Sequence, residues 1–295
     1  MKKILALIGS PRKLGNCEIV AKMISGQVKE PHELNLLRIS DFNIKLCRGC
    51  YMCLIKNKCP LKDDLDLVID AFAEADAFIV AAPTYCLGAN AALKLLADRI
   101  LFFYSRNAEI WGKPAVGVGV AGIEGKEGST KLQIDSFMTL FQMLIKASEI
   151  LYGAMPGEAA LEDANKPLIS GLAKALFNDP VKDAAPGCPL CGGDTFRFYE
   201  NNRVRCMLCS NEGKVDTSGS FPVFHIGMSS HELLLTQQDA LSHGQWLQQM
   251  KHKFGEDKTK LKQVTSQYAD MGRRRRHCGK NRATASAPTT KRKQE

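Results

Sequence analysis

Short apolar runs separated by amphipathic stretches fill the first 178 residues of the chain. Residues 4–8 are an apolar run closed by Gly9-Ser10-Pro11, which predicts a first strand. Residues 16–29 put Ile19, Val20, Met23 and Ile24 at helical spacing. A second strand is expected at 34–39, and a helix at 63–75 opened by Asp63 and Asp64, acids that suit a helix N-terminus. Residues 77–82 are apolar without alternation, the pattern of a strand covered on both faces. Further on, 91–104 reads as helix, 115–121 as strand, 131–147 as a long amphipathic helix, 150–154 as a fifth strand and 166–177 as a closing helix. Five such alternations predict an α/β fold with a doubly wound five-stranded parallel sheet, whose ligands gather beyond the carboxyl ends of the strands.

The pattern breaks after residue 178. Residues 179–187 (DPVKDAAPG) read as a linker, 188–216 as a small cysteine-bearing module, 217–271 as a mainly helical polar extension and 272–295 as a basic tail. That tail holds nine Lys or Arg and one acid, so it carries +8 of the formal net charge of +9. The remainder is close to neutral, which moves any nucleic-acid affinity from the body to the tail, a segment with little to bury and an expected disordered state. The apolar start is too short for a secretory h-region and runs into Arg12 and Lys13, and no apolar run approaches membrane-spanning length. A cytoplasmic protein without a membrane partner is expected. There, C-x-x-C pairs more often serve metals or redox chemistry than structural disulfides.

Eight of the eleven cysteines fall into two sets of four. Cys47, Cys50, Cys53 and Cys59 follow C-x2-C-x2-C-x5-C, a spacing that lets three thiolates converge on one face of a [4Fe–4S] cluster with a fourth to complete it. Zinc or a pair of regulatory disulfides are the alternatives. Cys188, Cys191, Cys206 and Cys209 follow C-x2-C-x14-C-x2-C, two knuckles joined by a hairpin turning at Asn201-Asn202. This is the zinc-ribbon pattern with a gap one residue short, and a single iron could use the same thiolates. A module this small needs a metal to fold. Its interleaved Phe196, Arg197, Phe198, Tyr199, Arg203 and Arg205 could face nucleic acid or could form the ribbon's own core.

Three small-residue loops are expected at one sheet edge. The first, GSPRKLGNC after the first strand, offers backbone N–H groups, Ser10, Arg12, Gly15 and Asn16 to a phosphate at a helix N-terminus, without being a G-x-G-x-x-G or Walker loop. The second runs Pro83-Thr84-Tyr85-Cys86-Leu87-Gly88 and could meet a flat heterocycle. The third begins at Gly122. The six histidines show no catalytic pattern, and Cys86 and Cys278 suggest no special role.

The motifs GSPRKLGN, CRGCYMC with a fourth cysteine nearby, DDL, APTY and LKLLADRI, in that order, resemble the iron–sulfur flavoprotein branch of the NADPH-dependent FMN reductase family over residues 1–178. The resemblance implies a flavodoxin-like fold and bound FMN. Ser10, Arg12, Gly15, Asn16 and Cys17 would hold its phosphate, while Pro83, Thr84, Tyr85, Cys86, Gly88 and Gly122 would surround the flavin. Cys17 stands where the family commonly has a hydroxyl residue. The flavin would carry the chemistry, leaving no catalytic side chain to find.

A flavin beside a cluster couples two-electron to one-electron partners. The expected function is therefore flavin-dependent electron transfer, with NAD(P)H or a ferredoxin-type donor and a redox protein or small molecule as acceptor. By the same resemblance the chain would form a dimer or tetramer, one subunit's cluster lying near a neighbour's flavin. Two alternatives stand beside this reading: an NAD(P)H-dependent FMN or quinone reductase with a structural cysteine loop, and a nucleic-acid-associated redox sensor using ribbon and tail.

Overall fold

The structure is a computed structural model describing residues 1–178, 186–269 and 271–272. Most of the expected linker (179–185) and nearly all of the basic tail (273–295, with Cys278) lie outside the described residues. The chain forms two units, residues 1–250 and a second beginning at Lys251. The elements of the first sheet and its helices are β1 (Lys2–Ile8), α1 (Asn16–Gln27), β2 (His32–Arg38), α2 (Met52–Lys56), α3 (Leu65–Glu74), β3 (Ala77–Tyr85), β4 (Gly88–Ala89), α4 (Ala91–Ala97), α5 (Asn107–Ile110), β5 (Pro114–Ala121), α6 (Thr130–Leu140), β6 (Leu144–Tyr152), α7 (Glu158–Leu161) and α8 (Asn165–Ala175). A second sheet holds β7 (Phe196–Phe198), β8 (Arg203–Cys206), β9 (Glu212–Asp216) and β10 (Val223–Ile226), and the helices α9 (Gln237–Glu256) and α10 (Lys258–Ser266) follow. No described helix is long and apolar enough to cross a membrane.

Five strands pair in parallel in the order β2-β1-β3-β5-β6, with β4 folded back antiparallel on β3. Counting the parallel strands alone, this is the flavodoxin-like order, as the apolar pattern predicted. Alternation along each strand explains why the central runs are continuously apolar. Ile4, Ala6 and Ile8 of β1 face Val20 and Ile24 of α1 and Leu172 of α8, whereas Leu5 and Leu7 face Phe72 of α3, Leu96 of α4 and Phe137 of α6. The second layer centres on Phe72, whose ring lies 5.3 Å from each of Phe78, Phe103 and Phe141. Full burial of such side chains contributes about 1.5–3 kcal/mol apiece. On β5, a Cβ at Gly119 would sit 2.9 Å from Thr130, so glycine there lets α6 approach the sheet.

Three expected boundaries move. The helix expected over 131–147 stops at Leu140, and residues 144–147 belong to β6. Its end is a Schellman cap: Met143 N–H donates to Met138 O, Gln142 N–H donates to Thr139 O, and Gln142 takes the left-handed φ of 61° that glycine usually supplies. The helix expected over 91–104 is α-helical only to Ala97, then winds tighter as a 3-10 turn over Ile100–Arg106. Between the two, Arg99 turns its side chain inward. The second sheet runs past residue 216 to β10, where Phe224 stacks on Phe196 at 3.8 Å, so 217–271 becomes helical only from Gln237. α10 buries none of its residues.

Lys131 on α6 bridges Asp135 of its own helix and Asp194 of the cysteine module, each at 2.9 Å. On the opposite layer, the buried Glu18 of α1 accepts from Leu14 N–H (3.0 Å), Lys22 (2.7 Å) and Arg38 at the end of β2. The bond from Lys22, then those from Leu14 and Arg38, hold its carboxyl down to about 2 against the opposing effect of burial. A carboxylate whose folded pKa is depressed stabilises the fold above the unfolded value, and that stability is lost as pH falls through the folded one. Glu18→Gln should therefore lower stability at pH 7 by on the order of 2 kcal/mol. In thermal melts the difference from wild type should shrink as pH drops from the ordinary carboxylate range towards about 2. A difference independent of pH would contradict this account.

Candidate functional site

Four loops meet at the carboxyl ends of β1, β3, β5 and β6 and enclose a cleft. Of the expected residues, Ser10, Arg12, Gly15, Asn16, Cys17, Pro83, Thr84, Tyr85 and Gly122 line it together. Cys86 and Gly88 do not line it. They belong to the hairpin between β3 and β4: Cys86 and Leu87, at φ of 50° and 63°, form its two-residue turn, and Gly88 opens β4 paired to Tyr85. Ser129 ties the turn down, its N–H and hydroxyl donating to Leu87 O at 2.9 and 3.2 Å. Tyr85 is thereby held at the cleft's edge with 47% of its surface exposed.

The inner end of the cleft gathers groups that suit an anion. Gly15 caps α1 without a side-chain bond, and the N–H groups of Asn16 and Cys17, first in the helix, have no intrahelical acceptor. Ser10 Oγ accepts from Arg12 N–H at 3.3 Å, shaping the turn, and the Arg12 guanidinium is exposed beside it. Burial pushes the Cys17 thiol up to about 12, so it stays uncharged. Among the described residues no carboxylate lines the cleft. These features fit the phosphate of FMN, which would sit on the helix N-terminus.

Asn16 has a different task from the one its sequence position suggests. Its Nδ2 donates to Gly153 O and Met155 O, both at 2.9 Å, and its Oδ1 accepts from Gly157 N–H at 2.7 Å. The side chain thus fastens the β6–α7 loop to the phosphate loop, leaving its backbone N–H for a ligand. That loop supplies the cleft residues sequence reasoning missed, Gly153, Ala154 and Pro156, with Val120 from β5. Placing the fifth strand at 150–154 hid them, although Gly153 after an apolar run was the available signal.

The first cysteine set lies on a loop between β2 and α3 whose ends are closed on each other. Lys45 N–H donates to Asp63 at 2.9 Å, Asn43 N–H to Asp64 at 2.7 Å, and Lys45 Nζ to Lys62 O at 2.6 Å. The chain reverses at Gly49, Tyr51 and Asn57, all with positive φ, around α2. Cys53 and Cys59 pack against the Phe72 layer and Cys47 is exposed. Burial first, then the nearness of Cys59 and Cys47, raises the Cys53 thiol above its ordinary value. Gln248 of α9 donates to Leu54 O at 2.9 Å, within this loop.

The second cysteine set forms a compact site. All four sulfurs lie within 4.8 Å of one another, with Cys188–Cys209 at 3.8 Å and Cys191–Cys206 at 3.5 Å. Four thiolates at about 2.3 Å from one tetrahedral ion are separated by about 3.8 Å, so the set fits a single metal. Each knuckle ends on a left-handed residue, Gly192 and Ser210, and the expected hairpin turn has positive φ at both Asn201 and Asn202. Among the described residues the first set is not gathered this tightly. A cluster of four irons spreads its thiolates farther apart than one ion does.

Phe196 joins the ribbon's core, while Arg197, Arg203 and Arg205 surround the Tyr199 ring, two of them also paired to Glu212. Their charge is partly neutralised at home.

The model of the NADPH-dependent FMN reductase family matches residues 2–154. An iron–sulfur flavoprotein of Methanocaldococcus jannaschii is 33% identical over 148 residues, 48% of this chain and 75% of that protein. One from Archaeoglobus fulgidus is 31% identical over 168 residues, 56% of this chain and 74% of its own length. Among solved structures, a flavone reductase superposes with a TM-score of 0.69 at 17% identity, covering 93% of this chain and all of that one, which establishes a shared fold. With this cleft and the cysteine loop in place, the chain belongs to the NADPH-dependent FMN reductase family, in its iron–sulfur flavoprotein branch, and is an FMN-dependent oxidoreductase.

Proposed function

We propose that the chain is an electron-transfer protein in which FMN in the cleft works with a [4Fe–4S] cluster on Cys47, Cys50, Cys53 and Cys59, while zinc on Cys188, Cys191, Cys206 and Cys209 holds the ribbon. The observation that carries this reading is that a closed loop with four sulfur donors follows β2, at the same sheet edge as the anion-binding cleft. Bound FMN exchanges electrons in pairs or singly, and a cluster takes one at a time. The chain's own residues bind and orient. Arg12 and the N-terminal amides of α1 neutralise the phosphate, and Thr84, Tyr85 and Gly122 border the flavin ring. NAD(P)H or a ferredoxin-type protein is the donor, and the acceptor is a redox protein or small molecule.

Exposed Leu14, Leu87, Ile123 and Met155 flank the cleft. Such an apolar rim supports a homo-oligomer that covers the flavin. Reduced metal-site thiols and the absence of any membrane-spanning helix among the described residues are compatible with a cytoplasmic setting.

Anaerobic purification should give about four irons, one zinc and one FMN per chain. Cys50→Ser should lose the iron and its visible absorbance while retaining FMN. Unchanged iron in that variant would favour the reductase with a structural cysteine loop. Arg12→Ala should weaken FMN binding about tenfold to a hundredfold in a flavin-fluorescence titration, the scale of one charge-assisted hydrogen bond. An unaltered Kd would remove Arg12 from the phosphate site. Cys206→Ser should release zinc and open residues 188–226 to protease with FMN binding intact, because a ribbon of this size folds on its metal. A protease-resistant, zinc-free ribbon would refute the structural role.

A further inference from the structure

The guanidinium of Arg99 is a buried cation in contact with Cys59, the last cysteine of the first set. Its side chain is 2% exposed and that of its partner Asp63 1% exposed. Every terminal N–H is engaged. Nη1 donates to Lys45 O at 2.7 Å and Asp63 Oδ2 at 2.6 Å, and Nη2 donates to Asp63 Oδ1 at 3.3 Å and Cys59 Sγ at 3.2 Å. An arginine guanidinium stays protonated at any working pH, so the group is a permanent cation. Lys45 and Asp63 bracket the cysteine loop, and Arg99 grips both while touching the sulfur of the last cysteine.

We infer that Arg99 is a positioning residue for the cluster that also raises its reduction potential through the N–H···S contact to Cys59, with Asp63 offsetting part of the charge. The inference rests on the cluster reading of Cys47, Cys50, Cys53 and Cys59. Reduction adds one electron and no proton to the cluster, so the negative charge grows on irons and sulfurs. A donor and positive charge fixed at a ligand sulfur stabilises that added charge, and hydrogen bonds to sulfur are among the main settings of Fe–S potentials. The effect is strong here because the contact is buried, where charges are poorly screened. A lysine could keep the charge but not the planar fork that reaches a carbonyl, a carboxylate and a sulfur together.

Geometry separates tuning from simple loop closure. Loop closure needs only the contacts to Lys45 and Asp63, which Nη1 makes by itself. The contact to Cys59 adds nothing to closing the loop and bears directly on the sulfur.

The test is an EPR-monitored redox titration of the full-length, anaerobically purified protein with iron counted in each sample. Arg99→Gln leaves Asp63 buried without its partner and could fail to fold. The decisive comparison is therefore Asp63→Asn against the double variant Asp63→Asn/Arg99→Gln, which differ only at residue 99 and bury no unpaired carboxylate. Asp63→Asn should titrate above wild type. The double variant should titrate below Asp63→Asn, with the reduced-to-oxidised ratio at a fixed potential shifted about tenfold, or about 59 mV for one electron. Equal midpoints in the two variants at wild-type iron content would overturn the inference. A folded double variant that holds no iron would support the positioning role and overturn the tuning, since the cluster would then need Arg99 to form at all. A wild-type protein that takes up no iron would instead defeat the cluster reading itself.

Discussion

Burial of β1 and β3 on both faces is the constraint on which the rest of the molecule hangs. Ile4, Ala6 and Ile8 need one helical layer and Leu5 and Leu7 need another, so helices must cover both sides of the sheet. Parallel strands joined by covering helices send every βα loop to the same edge. The phosphate loop, the Tyr85 hairpin, the Gly122 loop and the cysteine loop therefore share one edge without any of them being designed against the others. The functional end of the protein is a consequence of where the core places its loops.

Polar interactions then convert that shared edge into a site. Asn16 fastens one loop to another, and Ser129 fixes the Cys86-Leu87 turn. Glu18 binds the phosphate loop to the end of β2. The strongest of these devices is the Asp63–Arg99 pair. Surface pairs such as Lys166–Asp163 are screened and add little, whereas a buried pair with both terminal nitrogens engaged holds one arrangement of the chain around it. The two cysteine sets differ for the same reason. The ribbon brings its sulfurs together through its own knuckles and hairpin, while the first loop is closed from outside by a residue beyond α4.

Much of this was legible in the chain. The continuous apolar runs foretold a doubly wound sheet, GSPRKLGN foretold a small-residue loop opening the first helix, and Asn201-Asn202 foretold the ribbon's turn. The misreadings have local causes. A Schellman cap formed by Gln142 instead of glycine carried no stop signal, so the helix was read through into β6. That error in turn concealed Gly153 and its neighbours.

The sequence by itself determined which residues could bury, which could turn and which could bind a metal, because burial period, turn chemistry and ligand spacing are local properties. Tertiary structure alone decided which of those residues meet. Asn16 lines the cleft as its position suggested, but its side chain fastens two loops, since its partners lie more than a hundred residues away. Arg99 stood in the sequence as part of LKLLADRI, inside a stretch read as helix. Only folding brings it to Cys59 and Asp63, contacts separated by 40 and 36 residues of chain, and no local pattern encodes a meeting set by the packing of the whole sheet.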